Sequence, residues 1–265
     1  MTQKEKTALK KYEKYLNNKK LQASTITTYL WHLEKFFAWL KNQKLSTAKL
    51  KKYQEELLKN HSHIASINLR LVILNDFLKL EKNSWQFPLL SAEKQKIEIL
   101  DKKQLDQFLN SPKNLENILN LRNKVLLEIL YFSALKVKEI VLLKKEDFDL
   151  KNNFLLWQKK KIKLPQETKN YLLKYLNKRI DDSPYLFLNF DRAKKDEQQQ
   201  LSIRSVERIL EKYARQMQPI LRITPQTLRH TLAYHLKQNG AQVKEIQNAL
   251  HFQSSVAAQE YFKKL

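Results

Sequence analysis

The chain has 265 residues, 42% of them hydrophobic, and its 50 Lys and Arg against 27 Asp and Glu give a formal net charge of +23. This apolar content is enough to bury a core, and the charge exceeds what solubility requires, so we expect a polyanionic partner: nucleic acid first, an anionic membrane surface second. The absence of cysteine excludes disulfides, thiolate nucleophiles and Cys-ligated metals, and a single glycine excludes the glycine-rich loops that bind nucleotide phosphates.

The first eighty or so residues carry apolar side chains at three- and four-residue spacing, which is typical of amphipathic helices. Four helices are predicted from the positions Leu9, Tyr12, Leu16; Ile26, Leu30, Leu33, Phe37, Leu40; Leu50, Tyr53, Leu57; and Ile67, Leu71, Leu74, Leu78. A proline follows Phe87, and a charged stretch covers residues 92–96. We therefore predict a helical domain over 1–87, a linker over 88–98 and a second domain over 99–265.

The second domain is predicted to be helical with one small sheet. Asp101 is expected to cap a first helix, and residues 117–132 form a largely apolar helix of the core type. Short apolar runs between residues 147 and 164 predict a small antiparallel sheet whose tip is the lysine run 159–161. Further helices are expected over 165–176, 202–216, 225–239 and 243–250 and through residue 261, with a polar loop at 191–200. The only glycine, Gly240, falls where a helix needs a left-handed cap.

The segment from Ile223 to Tyr261 has the sequence ITPQTLRHTLAYHLKQNGAQVKEIQNALHFQSSVAAQEY. It resembles, in register over 39 residues, the C-terminal signature of the tyrosine recombinases, the Xer and phage-integrase family. That signature is His-x-x-Arg-His on one helix, a Leu-Gly-His-x-Ser turn, and a nucleophilic tyrosine nine residues beyond the turn histidine. The segment LYFSALKVKEI, residues 130–140, is similar to the family block Leu-Tyr-x-Thr-Gly-Leu-Arg-x-Ser-Glu-Leu.

The resemblance extends to the first domain, where Leu21, Gln22, Thr25 and Tyr29 are spaced like a family motif. It therefore implies the family's architecture for almost the whole chain. The expected fold class is mainly α with a small antiparallel β-sheet: a four-helix, SAM-like core-binding domain followed by a recombinase-type catalytic domain.

The resemblance assigns site residues one by one. Arg229 matches the second arginine of the family and Tyr261 the nucleophile. Three catalytic positions are substituted: Lys136 stands for the first arginine, Gln226 for the first histidine and Phe252 for the second. Lysine keeps the charge but loses the planar fork of arginine, glutamine donates a hydrogen bond but no proton, and phenylalanine does neither.

The remaining assignments are supporting ones. Glu139 matches the family glutamate, and His230 a histidine with a supporting role. The hairpin lysine of the family has three candidates, Lys159, Lys160 and Lys161, which are also the expected DNA-binding residues. Which of these lysines reaches the scissile phosphate stays open at this point.

The resemblance implies attack of tyrosine on a DNA phosphodiester, through a 3′-phosphotyrosyl intermediate and without a metal or other cofactor. The implied partners are duplex DNA and a second copy or an active homologue of the recombinase, with no membrane. No segment has the length of a membrane span or the apolar core of a signal peptide, so we expect a cytoplasmic, nucleoid-associated protein.

Three alternatives stay open from sequence. The chain is either a slow recombinase or a degenerate relative that binds DNA without cutting it, and a basic protein that binds RNA or acidic membrane is the third. At single positions, Arg229 has the alternative of a buried ion pair with Glu139 or Glu245. The alternative for Lys136 is a solvated lysine at a helix end, and the alternative for the lysine run is a solvated hairpin tip.

Overall fold

The computed structural model describes residues 1–60, 63–91, 97–158, 160–190 and 200–265. The chain divides into two compact units, Met1–Gln95 and Lys96–Leu265. The exact limits of the predicted linker stay a prediction, because residues 92–96 lie outside the described ranges. Within those ranges, none of the helices combines the length and the apolar character that a membrane span requires.

The first unit contains the four predicted helices, α1 (Gln3–Asn18), α2 (Ala23–Leu40), α3 (Thr47–Asn60) and α4 (Ile64–Leu80). The positions that set the periodicity are the ones that meet in the core: Tyr12, Leu33 and Leu71, for example, are fully buried. The spacing of apolar residues in the four segments therefore predicted both the helices and the faces that they bury.

The helices of the second unit are α5 (Lys102–Leu109), α6 (Ile118–Ser133), α7 (Val137–Ile140), α8 (Gln166–Asn177), α9 (Ile203–Ala214), α10 (Pro225–Gln238), α11 (Val243–Ala249) and α12 (Ser255–Lys264). Asp101 caps α5 as predicted, its carboxylate accepting from the main-chain N–H of Gln104 at 2.7 Å. Gly240 ends α10 with φ +86°, also as predicted. The predicted loop at 191–200 lies, except for its last residue, outside the described residues.

Helix α6 is buried on every side from Leu121 to Tyr131. The sequence indicated an apolar core helix, but this buried stretch also contains an ion pair. The ammonium of Lys124 lies 2.8 Å from the carboxylate of Glu128, and the other oxygen of Glu128 accepts from the hydroxyl of Thr168 on α8 at 2.7 Å. Charged groups survive in this core because each one has polar partners.

The predicted sheet has three antiparallel strands in the order β1 (Phe148–Asp149), β2 (Phe154–Trp157) and β3 (Lys160–Lys163). Trp157 pairs with Lys160, and Leu156 with Lys161. The prediction that the whole lysine run forms the tip is therefore wrong: Lys160 and Lys161 belong to β3. The register of β3 with β2 places both residues in the strand ladder, and Lys159 lies outside the described residues.

Helices α10, α11 and α12 meet the end of α6 in a small separate apolar cluster. Its buried members are Ala134, Ala233, Ile246 and Leu250, and Phe252, Tyr261 and Phe262 pack against them. The ammonium of Lys237 on α10 also donates to the main-chain oxygen of Phe262 at 2.9 Å and lies 4.6 Å from the centre of its ring. These contacts hold α12 against α10, and they decide where Tyr261 lies.

Candidate active site

Helix α10 carries three of the predicted site residues. It begins at Pro225 after the cap Thr224, whose hydroxyl accepts from the main-chain N–H of Thr227 at 3.1 Å. Gln226 and His230 are one turn apart and therefore share a face, where the side-chain nitrogen of Gln226 lies 3.1 Å from Nε2 of His230. Arg229 points into the protein and is only 7% exposed.

The guanidinium of Arg229 joins the ends of two other helices. Its Nη1 donates to the main-chain oxygen of Ala134, after α6, and its Nη2 to that of Leu250, after α11. Glu139 acts on it only through space, and Glu245 accepts instead from the main-chain nitrogen of Gln242 at 2.7 Å. The alternative of a buried ion pair with Glu139 or Glu245 is therefore wrong, because Arg229 donates to two main-chain oxygens instead. The other N–H groups of the guanidinium are left to bind a ligand.

Both turns whose main-chain oxygens accept hydrogen bonds from Arg229 contain a residue with left-handed backbone conformation. Ala134 has φ +48° and His251, directly after Leu250, has φ +58°. These are the positions at which the family motifs have glycine. The turns therefore keep the glycine-type conformation without glycine, at a conformational cost of about 1–2 kcal/mol for each residue.

Tyr261 on α12 is half-buried beside His230. Its hydroxyl forms a hydrogen bond with Nδ1 of His230, and the two rings are stacked with their centres 5.3 Å apart. Burial raises the pKa of Tyr261 to about 12, while the nearby charge of Arg229 acts in the opposite direction. Burial, and then Arg229, lower the pKa of His230 below its ordinary value, so its imidazole is neutral at pH 7 and able to accept a proton.

The contact with Gln226 decides which tautomer His230 adopts. A carboxamide offers an oxygen acceptor on one side and an N–H₂ donor on the other. If the oxygen faces Nε2, that nitrogen carries the hydrogen and Nδ1 is free to accept the proton of Tyr261. If the N–H₂ faces Nε2, the hydrogen lies on Nδ1 and points at the phenol oxygen. Gln226 cannot act as an acid or base, but it holds the imidazole that contacts Tyr261.

Of the other two substituted positions, Phe252 lies at this site, and Lys136 lies two residues beyond Ala134, whose oxygen accepts from Arg229. The ring of Phe252 contacts that of Tyr261, with centres 5.2 Å apart, and lies 5.7 Å from the guanidinium carbon of Arg229. Lys136 is exposed at the start of α7, where its main-chain N–H donates to the carboxylate of Glu139 at 2.7 Å. Its ammonium has no partner among the described residues, which fits the alternative of a solvated lysine at a helix end. Glu139 thus orders the turn that carries Lys136.

The sheet supplies the basic side of the site. Lys160 and Lys161 line an open cleft of about 380 Å³ together with the turn residues His251 and Phe252. Lys160 is half-buried and its charge acts on His251, whereas Lys161 is exposed. Of the two described candidates, Lys160 is the one whose charge acts on the turn.

The sequence prediction missed His251. It stands at the glycine of the Leu-Gly-His-x-Ser turn, and its Nε2 lies 3.0 Å from the main-chain oxygen of Ser133. A histidine at a position that calls for glycine was the available signal, since a bulky residue with positive φ is uncommon.

Most of the chain matches known protein families in sequence. Residues 98–265 match the profile of the phage integrase family, and residues 9–83 match the phage integrase N-terminal SAM-like domain. The chain is 29% identical to the tyrosine recombinase XerA of Pyrococcus horikoshii over 96% of its own length and 88% of that protein.

Two solved structures have the same fold. The Tn1549 transposon integrase in complex with circular intermediate DNA superposes with a TM-score of 0.71 at 16% identity, over 96% of this chain and 94% of that one. The XerH site-specific recombinase bound to its difH substrate gives a TM-score of 0.69 at 18% identity, over 89% of this chain and 76% of that one. The matched profiles, the mainly helical fold with its small antiparallel sheet, and the convergence of Arg229 with Tyr261 lead to one conclusion: the chain belongs to the tyrosine recombinase (phage integrase) family.

Proposed function

We propose that this chain binds duplex DNA and cuts and rejoins it in site-specific recombination or integration, with Tyr261 as the nucleophile. The observation that carries the proposal is the hydrogen bond between the hydroxyl of Tyr261 and His230, beside the guanidinium of Arg229. The relatives solved on DNA and the net charge of +23 support duplex DNA as the substrate. Such a protein acts at the nucleoid.

The chemical step moves two protons and exchanges one bond at phosphorus for another. With the carboxamide oxygen of Gln226 turned toward Nε2 of His230, Nδ1 takes the proton of Tyr261. The phenol oxygen forms a bond to phosphorus, and the bond from phosphorus to the 5′ oxygen breaks. The leaving 5′ oxygen takes its proton from the ammonium of Lys160. The product is a 3′-phosphotyrosyl link and a free 5′ hydroxyl, and the reverse step rejoins a strand.

The remaining N–H groups of Arg229 and the charge of Lys136 stabilise the negative charge that grows on the phosphate oxygens. Compared with the family pattern the site lacks a planar guanidinium at Lys136 and a polar group at Phe252. Since the loss of one such donor lowers a rate by about 10²–10³, we expect a slow enzyme. A second copy of the chain, or an active homologue, makes the cut on the other strand.

The second candidate function is a DNA-binding protein that does not cut. The substitutions at Lys136, Gln226 and Phe252 favour it, because they remove proton donors and phosphate contacts while Lys136 keeps the positive charge of the family arginine. This protein protects a DNA site, or pairs on DNA with an active relative, and Tyr261 is then a packing residue.

The test begins by footprinting the protein on genomic fragments to recover a bound site. That site is rebuilt as a duplex nicked beside the cut position, so that the short 5′ fragment diffuses away and the covalent adduct accumulates. We expect an adduct on denaturing gels with the wild type. Tyr261→Phe should abolish the adduct, while Tyr234→Phe, a half-buried tyrosine on α10, should keep it.

An adduct that persists in Tyr261→Phe contradicts the assigned nucleophile. Protection of a site without any adduct, at high protein concentration and long incubation, contradicts the enzyme and favours the binding protein. If RNA or acidic liposomes compete better than duplex DNA, both candidates are wrong.

A further inference from the structure

His251 has an imidazole whose tautomer the structure determines. Its Nε2 lies 3.0 Å from the main-chain oxygen of Ser133, and a carbonyl oxygen only accepts hydrogen bonds. Nε2 therefore carries the hydrogen and donates it. In the neutral ring, Nδ1 is then left with a lone pair and no hydrogen.

Nδ1 of His251 is buried and has no hydrogen-bond partner within the described part of the chain. The charged groups that face the ring are Lys160 from β3, Arg229 from α10 and Glu139 from α7. Burial, together with these two cations, keeps the pKa of His251 below its ordinary value in the free protein. A polar atom is thus held beside two cations with nothing to bind.

Two unfavourable features coincide at this one residue. A left-handed backbone with φ +58° disfavours any side chain, and a buried nitrogen without a partner is costly as well. Glycine at the same position has neither cost. Local strain of this kind is characteristic of functional sites, where a ligand satisfies the group that the free protein leaves unpaired.

We propose that His251 is a phosphate-contacting catalytic residue, whose protonated Nδ1 donates a hydrogen bond to a non-bridging oxygen of the DNA phosphate held by Arg229 and Lys160. It thereby supplies an imidazole one residue before Phe252, the position at which the family motif has its histidine. The inference rests on the proposed function. A phosphate placed among these groups brings negative charge to Nδ1, so binding takes up one proton from solvent.

The first test uses the covalent adduct and a rescue. His251→Gly suits the positive φ and is expected to fold, but it should lower the rate of adduct formation about 10²-fold. The double variant His251→Gly with Phe252→His restores the Gly-His order of the family motif and should recover most of that rate. A purely structural role for His251 predicts that Phe252→His speeds adduct formation by the same factor with histidine and with glycine at position 251, whereas the proposal predicts a larger gain with glycine. The proposal is overturned if His251→Gly cuts like the wild type, or if the double variant is no faster than His251→Gly.

The second test does not depend on cleavage. The imidazole nitrogens are labelled with ¹⁵N, and His251 is titrated by NMR without and with saturating sonicated duplex DNA. We expect the tautomer with hydrogen on Nε2 in the free protein, and a higher pKa with a hydrogen on Nδ1 once DNA is bound. An unchanged titration in the DNA-bound protein contradicts the proposal.

The two tests separate the possible failures. If no adduct forms on any site but DNA raises the pKa of His251, the enzyme proposal fails and the phosphate contact stands. If Tyr261 forms the adduct equally well with glycine at position 251, the enzyme proposal stands and the role of His251 fails.

Discussion

Removing the carboxylate of Glu128 should destabilise the second unit strongly. Lys124 and Glu128 are 3% and 5% exposed, and their charged atoms lie 2.8 Å apart inside α6. Glu128→Leu leaves a buried ammonium whose remaining hydrogen-bond acceptors are the main-chain oxygen of Leu109 and the side chain of Asn110. It also leaves the hydroxyl of Thr168 without its acceptor. Breaking a buried pair from one side costs about 3–5 kcal/mol. For a unit of this size, a loss of about 4 kcal/mol lowers Tm by about 8–16 °C.

Two controls isolate the buried charge from the substitution itself. In the double variant Lys124→Met with Glu128→Leu no charge remains unpaired, so Tm should return close to that of the wild type. Glu211→Leu removes one partner of an exposed pair with Arg215, also spaced i,i+4 and 2.6 Å apart, and should change Tm very little. Thermal unfolding followed by circular dichroism measures all three variants. The reasoning is refuted if Glu128→Leu unfolds no earlier than Glu211→Leu, or if the double variant is as unstable as the single one.

Three further outcomes follow from the site. Lys136→Arg restores a planar fork and should speed adduct formation at least about 10-fold, measured on the nicked duplex; an unchanged rate means that this position does not reach the phosphate. Lys160→Gln should slow the adduct by about 10²-fold or more, whereas Lys163→Gln on the same strand should not, and equal rates remove Lys160 from the mechanism. The pKa of His230 lies below its ordinary value of 6.5, so the cleavage rate should be constant above pH 6.5 and should fall at lower pH, where His230 becomes protonated. A rate that keeps rising toward the pKa of Tyr261, about 12, would instead mean that the tyrosine reacts as the phenolate without His230 as the base.

Local patterns along the chain were sufficient for the order of the motifs and for the helices other than the four-residue α7, which was not predicted. Periodic apolar positions such as Leu33 and Leu71 mark faces that must be buried whatever they pack against, and caps such as Asp101 and Gly240 act on neighbouring main-chain groups. For the same reason the family resemblance assigned Arg229 and Tyr261 from their spacing alone, since motif spacing is a property of the chain itself.

Partnerships between distant side chains were decided only by the tertiary structure. The contact of His230 with Tyr261 depends on how α12 packs against α10, and the direction of Lys160 depends on strand register. The burial of Lys124 depends on groups contributed by other elements, and the unpaired nitrogen of His251 on a turn closed by Ser133, more than a hundred residues away. Sequence determines where each polar group stands along its own helix or strand; only packing determines which groups face each other, because hydrogen bonds and charge interactions act over a few ångströms in space and not along the chain.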